Sequence, residues 1–278
     1  PGSTFKLVTA MAALRRDPGL ARKTFSCVAV GGGRVGNRVP GWRRLIRDDV
    51  TVRAPHGTVD METGIRRSCN AYFAQLGGLE VGPAALIDTA KRFGIEVAEP
   101  NTPEELKSLL PQASYGQGEV TATAFQMARV AATVASGGTR PEGRWVVDPS
   151  DPRNAPPERV VSPENAAILE RAMRGVVKSG TAARQLSELV PPAAGKTGTA
   201  EVTGKASHSW FIGFSPAAPE TTTATAVAAP GSPGGQGGAG GRRIAVAVIV
   251  EHGGYGGRLA TQASREILLA AAELGLIR

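Results

Sequence analysis

Cysteine and histidine are scarce in this chain of 278 residues. The cysteines are Cys27 and Cys69, and the histidines are His56, His208 and His252. These five positions show none of the spacings that mark a metal site, and two cysteines cannot complete one without other donors. We therefore predict no metal and no cofactor. The two cysteines form either a disulfide, which an oxidising compartment would allow, or two partly buried thiols.

Long hydrophobic runs are also lacking. The sequence has no stretch of 18 or more apolar residues and no recognisable signal peptide, so it offers no segment that would span a membrane. Its hydrophobic content of 41% is nevertheless ordinary for a globular core. A length of 278 residues suits one large domain or two modest ones, and we interpret the whole chain as one domain.

Acidic residues are outnumbered by basic ones, which gives a formal net charge of +8. Such a charge suits a nucleic acid, an anionic surface or a solvated exterior. The basic residues are scattered, as in Arg15-Arg16 and Arg242-Arg243, and lack the interleaved aromatic residues and the motifs of nucleic-acid binding. We therefore predict that nucleic acid is not a partner.

Apolar periodicity indicates helices in the first two thirds of the chain. The apolar residues between Phe5 and Leu14 predict a buried helix, which Asp17-Pro18-Gly19 ends. Residues 24–58 show little periodicity and are predicted to be loops with short strands. Further helices are predicted near residues 60–67, 71–79, 83–93, 104–110, 121–136, 163–178 and 182–189, and a last one over residues 262–274.

The pattern changes to strands after Pro191-Pro192. Strands are predicted over residues 196–203, 209–215 and 243–251, and the last is apolar enough to be covered on both faces. Residues 217–241 are dominated by Ala, Thr, Pro and Gly. Because this stretch has almost nothing to bury, we predict a disordered loop between the second and third strands.

Three short strings carry the candidate chemistry: Ser3-Thr4-Phe5-Lys6, Ser68-Cys69-Asn70 and Lys196-Thr197-Gly198. On a helix, the serine and lysine of the first string have Cβ atoms about 5 to 6 Å apart. A lysine in that place can take the proton of a serine nucleophile if its pKa falls from about 10.4 towards neutrality. Burial and a second cation both lower a lysine pKa, and Lys196 is the candidate cation.

The order of these strings is that of penicillin-binding proteins and class A β-lactamases. The chain most resembles the transpeptidase domain of class B penicillin-binding proteins. Two departures are Cys69, where Asp is usual, and residues 123–127, which read Thr-Ala-Phe-Gln-Met instead of Thr-Pro-Leu-Gln-Met. Other segments that carry the resemblance are Tyr115-Gly116-Gln117-Gly118, Gly195-Lys196-Thr197-Gly198-Thr199-Ala200-Glu201 and Trp210-Phe211-Ile212-Gly213-Phe214.

The resemblance implies a serine D,D-transpeptidase that forms an acyl-enzyme on Ser3 and is acylated by penicillins. Lys6 would be the base, and Ser68 would pass the proton to the leaving D-alanine amine. By the resemblance, Asn70 would bind the acyl-side amide, and Lys196 and Thr197 would bind the terminal carboxylate. Gly198 would leave room for an extended peptide to lie along the strand. The backbone N–H of Thr199 would be an oxyanion donor opposite the backbone N–H of Ser3.

The resemblance also implies an α+β fold, in which an antiparallel sheet is flanked by helices and a mostly helical subdomain lies beside it. In the family, a membrane anchor, an amino-terminal domain and the first sheet strands precede the nucleophile. We therefore expect residues 1–278 to be one transpeptidase domain that lacks those strands. The predicted strand 243–251 would then present an unpaired apolar edge, which is an aggregation hazard.

The implied partners are a peptidoglycan stem peptide that ends in D-Ala-D-Ala, β-lactam antibiotics and, for a membrane-anchored whole protein, a glycosyltransferase. The implied location is the extracytoplasmic face of the bacterial plasma membrane. The acceptor amine, and the balance between cross-linking and carboxypeptidase action, are not specified by the motifs.

Other interpretations stay open. A β-lactamase needs a carboxylate that activates water, and the acidic candidates are Glu99, Glu104 and Glu105, whose surroundings do not reproduce Glu-x-x-Leu-Asn. A non-catalytic penicillin-sensing domain would keep the same three strings. Each string could also be structural by itself, with Ser3 as a helix N-cap for example. We interpret Gln117, His208 and Trp210 as turn or packing residues.

Overall fold

The computed structural model describes residues 1–143, 156–218 and 242–277. The chain starts with a 3-10 turn, Gly2–Phe5, which continues directly into helix α1, Lys6–Arg16. Residues 6–14 are all buried, so α1 is a central helix that other elements cover on every side. The predicted end of this helix at Asp17 is confirmed, because the Asp17 side chain caps the next 3-10 turn, Pro18–Arg22.

Residues 24–58 form four short strands, as predicted. They pair antiparallel in the order β3-β2-β1-β4, so that β1 lies between β2 and β4. Cys27 in the middle of β1 pairs with Gly57 at the start of β4. Gly36 of β2 pairs with Val28 of β1 on one side and with Arg47 at the end of β3 on the other. The end of β3 and the start of β4 therefore both lie near the middle of β1. The strands are β1 Phe25–Ala29, β2 Val35–Arg38, β3 Leu45–Arg47 and β4 Gly57–Val59.

The helices occur where the periodicity predicts them, with one difference. The predicted helix over residues 71–79 is α-helical only to Gln75 and continues as a π-helical segment, Leu76–Val81, where two glycines lower the helix propensity. Gly77 also packs tightly, because a Cβ there would lie 1.8 Å from Ser114 Oγ. The helices are α2 Met61–Arg66, α3 Asn70–Gln75, α4 Pro83–Lys91, α5 Pro103–Ala113, α6 Ala124–Ala135, α7 Pro163–Ser179 and α8 Ala183–Leu186.

Side-chain caps explain where several of these helices begin. Asp60 caps α2, Thr102 caps α5 and Ser162 caps α7, and each accepts a hydrogen bond from a backbone N–H of the first turn. Thr123 and Gln126 form a reciprocal capping box at the start of α6. The unusual Ala124 is therefore compatible with a helix that starts at that residue. A small strand pair that the sequence did not predict, β5 Thr139–Arg140 and β6 Glu158–Arg159, lies between α6 and α7.

The principal sheet is antiparallel with the strand order β7-β8-β9, and the predicted strands are confirmed. It consists of β7 Ala194–Val202, β8 Lys205–Ser215 and β9 Ile244–Val250. Helix α9, Leu259–Glu273, packs against β8 and β9, while α6 and α7 contact the sheet as well. The predicted α+β class, with an antiparallel sheet flanked by helices beside a mostly helical part, is confirmed.

The last strand, predicted to be covered on both faces, is contacted by α6 and α9, but its burial is incomplete. In β9 only Val246 is buried, and the other six residues are half-buried. The reason is position, since β9 pairs with β8 along one side and no strand within the described ranges pairs with its other side. This apolar edge agrees with the expectation of an unpaired last strand.

Glu170 on α7 contacts the chain on both sides of residues 219–241. Its carboxylate accepts from the backbone N–H of Ala218 at 2.6 Å and from Arg243 Nη1 at 3.3 Å. The predicted disordered loop over residues 217–241 lies outside the described residues from position 219 onward. In the described part of the chain, no helix has the length and hydropathy needed to cross a bilayer.

Candidate active site

Ser3 lies on the 3-10 turn before α1, half-buried in the wall of a cleft of about 290 Å³. Gly2 has φ +55°, and a Cβ there would lie 2.5 Å from the backbone oxygen of Thr199. A Cβ on Gly116 would lie 1.9 Å from the backbone oxygen of Gly2. Two glycines therefore allow the turn that carries Ser3 to fit between β7 and the loop around Gly116.

Lys6 is the centre of the hydrogen-bond network. Its Nζ lies 2.8 Å from Ser3 Oγ and 2.6 Å from Asn70 Oδ1. It also lies 2.7 Å from the backbone oxygen of Ser68 and 3.2 Å from its Oγ. The side chain is fully buried. The structure thus brings residues of the first and second strings together around one nitrogen atom.

Ser68 lies between the two lysines. Its Oγ accepts from Lys196 Nζ at 2.8 Å, in addition to the contact with Lys6. Its backbone has φ +58°, in the left-handed region, which costs a residue with a side chain about 1 to 3 kcal/mol. This conformation lets both the backbone oxygen and the hydroxyl of one serine contact Lys6. The third string therefore joins the other two through Ser68.

The two lysines differ in what sets their pKa values. Burial lowers the pKa of Lys6 to about 8, although the carboxylate of Asp48 acts in the opposite direction. Burial and the charge of Lys6 together lower the pKa of Lys196 well below its usual value. The lowered pKa of Lys6 agrees with the expected effect of burial, and the part assigned to Lys196 stays a prediction. Asp48 favours the charged form of Lys6, and the charge of Lys6 disfavours the charged form of Lys196.

Asn70 is held by the start of α3. The Asp48 Oδ1 atom accepts hydrogen bonds from the backbone N–H groups of Asn70 and Ala71. A carboxylate at this place satisfies unpaired N–H groups and interacts favourably with the helix dipole. Asn70 is thereby fixed with Oδ1 on Lys6 and with Nδ2 on the backbone oxygen of Arg47 at 2.9 Å.

The third string lies on β7, packed against the turn that carries Ser3. A Cβ on Gly198 would lie 2.7 Å from the backbone oxygen of Pro1 and 2.9 Å from Thr4 Cγ2. Gly198 therefore has a packing role in addition to the predicted one of leaving room for a peptide. It allows the strand and the Ser3 turn to approach more closely than any side chain would permit.

Thr197 and Thr199 line the cleft and are held by three neighbours. The hydroxyls of Thr197 and Thr181 are 2.5 Å apart. Thr199 Oγ1 accepts from the backbone N–H of Gly256 at 3.1 Å, and its backbone oxygen accepts from Gln117 Nε2 at 3.3 Å. Gln117, for which the sequence indicates a turn, therefore also forms part of the cleft wall.

Sequence reasoning missed Thr181 and Asp48. Thr181 follows the end of α7 and contacts the third string across a loop, for which the sequence carries no signal. Asp48 lies in the Gly- and Arg-rich region without periodicity, so its burial could not be inferred.

Trp210, interpreted as a packing residue, is buried, and His208 contacts His252 at the end of the principal sheet.

A buried cluster of four side chains, which we call the Cys-His-Asp cluster, adjoins the second string. It consists of Cys27, Asp48, His56 and Cys69. Asp48 Oδ2 is the shared acceptor, 3.2 Å from Cys27 Sγ, 3.4 Å from Cys69 Sγ and 3.2 Å from His56 Nδ1. Hydrogen bonding to Asp48 raises the pKa of His56 to about 9. Both cysteines are buried thiols.

Comparison with known proteins gives one family. The family model described as "Penicillin binding protein transpeptidase domain" matches residues 1–245. The chain is 30% identical over 316 residues to the peptidoglycan D,D-transpeptidase PbpA of Mycolicibacterium smegmatis, an alignment that covers 99% of this chain and 55% of that protein. The chain therefore spans about half the length of this curated relative.

Solved structures agree with this comparison. Penicillin-binding protein A from M. tuberculosis, in a ceftriaxone acyl-enzyme complex, superposes with a TM-score of 0.70 at 28% identity, covering 98% of this chain and 60% of that one. A chain from a peptidoglycan synthase complex that coordinates polymerization and crosslinking also superposes with a TM-score of 0.70, at 27% identity, covering 99% of this chain and 46% of that one.

Proposed function

The chain belongs to the penicillin-binding protein transpeptidase family, and from this premise we propose that it is the acyl-transfer domain of a serine D,D-transpeptidase that cross-links peptidoglycan stem peptides. The observation that carries this proposal is the position of Lys6 Nζ. It lies within hydrogen-bond distance of Ser3, Ser68 and Asn70 at the same time. A serine and a base in direct contact form the minimal unit of nucleophilic acyl transfer.

In the acylation step, Ser3 Oγ attacks the carbonyl carbon of the bond between the two D-alanines. Neutral Lys6 takes the hydroxyl proton across the 2.8 Å contact between Nζ and Oγ. The C–O bond forms and the carbonyl oxygen becomes an oxyanion, which the backbone N–H groups of Ser3 and Thr199 stabilise. A positioned base contributes about 10²- to 10⁴-fold to such a reaction, and an oxyanion donor about 10²- to 10³-fold.

The leaving group then needs a proton. Ser68 Oγ is 3.2 Å from Lys6 Nζ and 2.8 Å from Lys196 Nζ, so it can receive a proton from a lysine and pass its own to the departing amine. The C–N bond breaks and D-alanine leaves. The acyl-enzyme on Ser3 is then resolved by an amine of a neighbouring stem peptide, which gives the cross-link, or by water, which gives carboxypeptidase action.

The proposed substrate contacts come from the family resemblance; among these residues Asn70 and Thr197 line the cleft, and Lys196 is buried behind it. The side chain of Asn70 faces the acyl-side amide, and Lys196 and Thr197 hold the terminal carboxylate. Arginines also line the cleft, and their positive charge suits a peptide with further carboxylates. These arginines are Arg34, Arg44, Arg47 and Arg67.

The alternative of a β-lactamase is disfavoured by where its candidate carboxylates lie. Glu99 is exposed, and Glu104 and Glu105 are exposed in the first turn of α5. In the described part of the chain, none of the three lines the cleft that contains Ser3. A water activated by any of them would not reach an ester on Ser3.

We also propose the partners and location that the family implies. The relatives include a β-lactam acyl-enzyme and a chain of a peptidoglycan synthase complex. By analogy this domain binds β-lactams and works beside a glycosyltransferase, on the extracytoplasmic face of the plasma membrane, in a protein that is membrane-anchored as a whole. A stem peptide that ends in D-Ala-D-Ala is its donor substrate.

Intact mass spectrometry after incubation with penicillin G tests the proposal. We expect the protein to gain the mass of one penicillin and to keep it over hours, because acyl transfer is efficient and hydrolysis is slow. Ser3→Ala should gain nothing, while Ser187→Ala, which changes an exposed serine, should behave like the unmodified protein. An adduct of equal yield on Ser3→Ala would contradict the assignment of the nucleophile.

Two further measurements, the lifetime of the adduct and the release of D-alanine, distinguish the alternative functions. Rapid loss of the adduct with release of hydrolysed penicillin would support a β-lactamase. A stable adduct without D-alanine release from a D-Ala-D-Ala stem peptide, in the presence of an amine acceptor, would support a non-catalytic penicillin sensor. Release of D-alanine together with a peptide–amine product would support the transpeptidase.

A further inference from the structure

Residues 251–258, which we call the β9–α9 loop, form part of the cleft wall. Tyr255 of this loop lines the cleft that contains the candidate nucleophile. The backbone N–H of Gly256 donates to Thr199 Oγ1 at 3.1 Å, and a Cβ on Gly256 would lie 2.0 Å from the backbone oxygen of Gly198. The loop is therefore packed directly on the third string, and its position determines where these residues of β7 lie.

Two serines of β8 hold the β9–α9 loop through hydrogen bonds. The backbone oxygen of Ser207 accepts from the backbone N–H of Gly254 at 2.8 Å. Ser209, which is fully buried, donates from Oγ to the backbone oxygen of Tyr255 at 3.2 Å. Neither contact involves a group that changes its charge near neutral pH. These two contacts therefore hold the loop at any pH at which the domain is folded.

His208, between these two serines, makes a contact of a different kind. Its Nδ1 accepts from the backbone N–H of His252 at 3.0 Å, which requires a ring nitrogen without a proton. The His252 ring has the opposite arrangement, because its Nδ1 lies 2.9 Å from the backbone oxygen of Ala206, which only accepts. A neutral His208 therefore carries its proton on Nε2. Of the two rings, His208 is the one whose contact a second proton would break.

The backbone of His252 shows that this contact is needed. Its φ is +53°, in the left-handed region that residues with a side chain rarely adopt. Such a conformation persists only where the surroundings hold it. Here His208 holds the backbone N–H, and Ala206 holds the ring of the same residue. Loss of the His208 contact would leave the turn at the start of the β9–α9 loop free to relax.

The charged side chains of the neighbouring elements do not fix the charge of His208. Its partner on β7 is Ala200. No buried residue of α9 is charged, and the single charged residue of α6, Arg129, lies 5.8 Å from the ring centroid of Phe125. The other charged groups next to it on β7, β8 and the β9–α9 loop are all exposed, and two are acidic and two basic: Glu201, Lys205, Glu251 and Arg258. His208 is therefore able to change its charge with pH, as well as its ring neighbour His252, whose centroid is 4.8 Å away.

We propose that His208 is a positioning residue for acyl transfer. As a neutral imidazole it holds the β9–α9 loop on β8 and so keeps Tyr255 and Thr199 in place, and it releases the start of the loop when it gains a proton. The added proton would lie on Nδ1 and face the N–H of His252, so that two donors would meet without an acceptor. The positioning role rests on the proposed function, in which Thr199 supplies an oxyanion donor.

Hydrogen exchange followed by NMR tests the loop without using the reaction. Histidine side chains ordinarily change charge between about pH 5 and about pH 8, and these limits are the two conditions to compare. The nitrogen shifts of His208 should show an unprotonated Nδ1 at the higher pH. The protection factor of the His252 amide should fall at least about fivefold at the lower pH, because its acceptor is lost. A proton on Nδ1 of His208 at the higher pH, or equal protection at both, would overturn the proposal.

His208→Asn is the matched variant for this measurement. An asparagine oxygen can accept in place of Nδ1, but the amide does not titrate. The His252 amide of this variant should therefore keep its protection at the lower pH. His252→Asn, which keeps the backbone N–H and tolerates the left-handed backbone, is the control in which the pH effect on that amide should remain. A fall of the same size in His208→Asn would show that another group releases the loop, and would overturn the proposal.

The rate of acylation by penicillin G tests the positioning role. In the range where histidines titrate, the rate of the unmodified protein should fall more steeply than the roughly tenfold per pH unit that Lys6 alone would give, and that of His208→Asn should not. His208→Leu, which has no acceptor at any pH, should be slower than His208→Asn by about 2- to 10-fold at about pH 8. Superimposable pH profiles for the unmodified protein and His208→Asn would overturn the positioning role.

The two measurements keep this proposal separate from the proposed function. A protein that gains no penicillin at any pH would overturn the proposed function and the positioning role with it. The exchange data would then still decide whether His208 holds the β9–α9 loop. Normal acylation with a pH-independent His252 amide would overturn the role of His208 and leave the proposed function intact.

Discussion

The two walls of the cleft are held by different interactions. The sheet wall, residues 196–199 of β7 with the turn of residues 1–4 packed on it, depends on backbone contacts so close that Gly2 and Gly198 admit no Cβ. The helical wall, residues 68–70 with Asp48 beside them, depends on buried polar groups and on the strained backbone of Ser68. One wall is therefore sensitive to added volume, and the other to the loss of a polar partner.

The difference has a functional meaning. A peptide that binds as an added strand needs a rigid edge, and close packing of backbone provides one without charges. Proton transfer needs charges whose pKa values are adjusted, and these must be held in place by buried hydrogen bonds. Lys6 lies where the two walls meet, with one contact to Ser3 and the other three to Ser68 and Asn70.

The largest effect is expected where the walls meet. Lys6→Ala removes the proposed base, which contacts both walls, so acylation of Ser3 by penicillin should slow by about 10²- to 10⁴-fold. The rate constant measured with a fluorescent penicillin checks this, and Lys205→Ala, which changes an exposed lysine on β8, is the control. A loss of less than tenfold in Lys6→Ala would show that another group takes the proton.

The second-largest effect is expected in the helical wall, where a buried carboxylate holds polar groups. Asp48→Ala leaves two helix N–H groups and His56 without their acceptor, and we expect it to lower the free energy of unfolding by about 3 to 5 kcal/mol. Asp49→Ala, which loses only a local contact with Thr51, should cost less than about 1 kcal/mol. Urea unfolding measures the free energy of unfolding of both variants. Equal losses would remove the distinction between the walls.

The sheet wall should respond to volume. Gly198→Val forces a side chain against Pro1 and Thr4, so the free energy of unfolding should fall by about 1 to 3 kcal/mol, and acylation should slow because the Ser3 turn moves. Ala200→Val, on the same strand at a half-buried position, is the matched control. Unfolding midpoints that are the same for both variants would contradict close packing as the basis of this wall.

The last prediction concerns pH, because the protonation of Lys6 should control the rate of acylation. Because the pKa of Lys6 is about 8, this residue is mostly protonated at lower pH and cannot take another proton. Acylation should therefore rise about tenfold per pH unit up to about pH 8 and level off above it. In the unfolded chain the pKa is near 10.5, so the unfolded state binds the proton more tightly and the contribution of Lys6 to stability should rise between pH 8 and 10.5. A flat rate profile would argue against Lys6 as the base.

The sheet wall and the position of the proposed nucleophile could be anticipated from sequence because their information is local. Spacing places the Ser3 and Lys6 side chains on one face of a turn, and apolar periodicity marks α1, α7, β7 and β9. The three strings are far apart in the chain, and the family resemblance, confirmed by the match over residues 1–245, is what assigns them to one site.

The helical wall could be anticipated only in part. Ser68 and Asn70 follow from their string, but Asp48, His56 and Cys27 meet through the pairing of β1 with β2 and β4. Strands of three to five residues rich in Gly and Arg show no periodicity that would predict such pairing.

The contacts of Glu170 have a practical consequence for protein engineering. The register of β8 against β9 is set by their own pairing, from Ser209 with Val250 to Ser215 with Ile244. Ala218, after β8, and Arg243, before β9, both contact the Glu170 carboxylate. Closing a longer connection costs only about 0.6 kcal/mol for each doubling of its length. The interval between Ala218 and Arg243 is therefore the place to insert an affinity tag or a fluorescent domain, since the graft would leave Ser3 and its neighbours on their original scaffold.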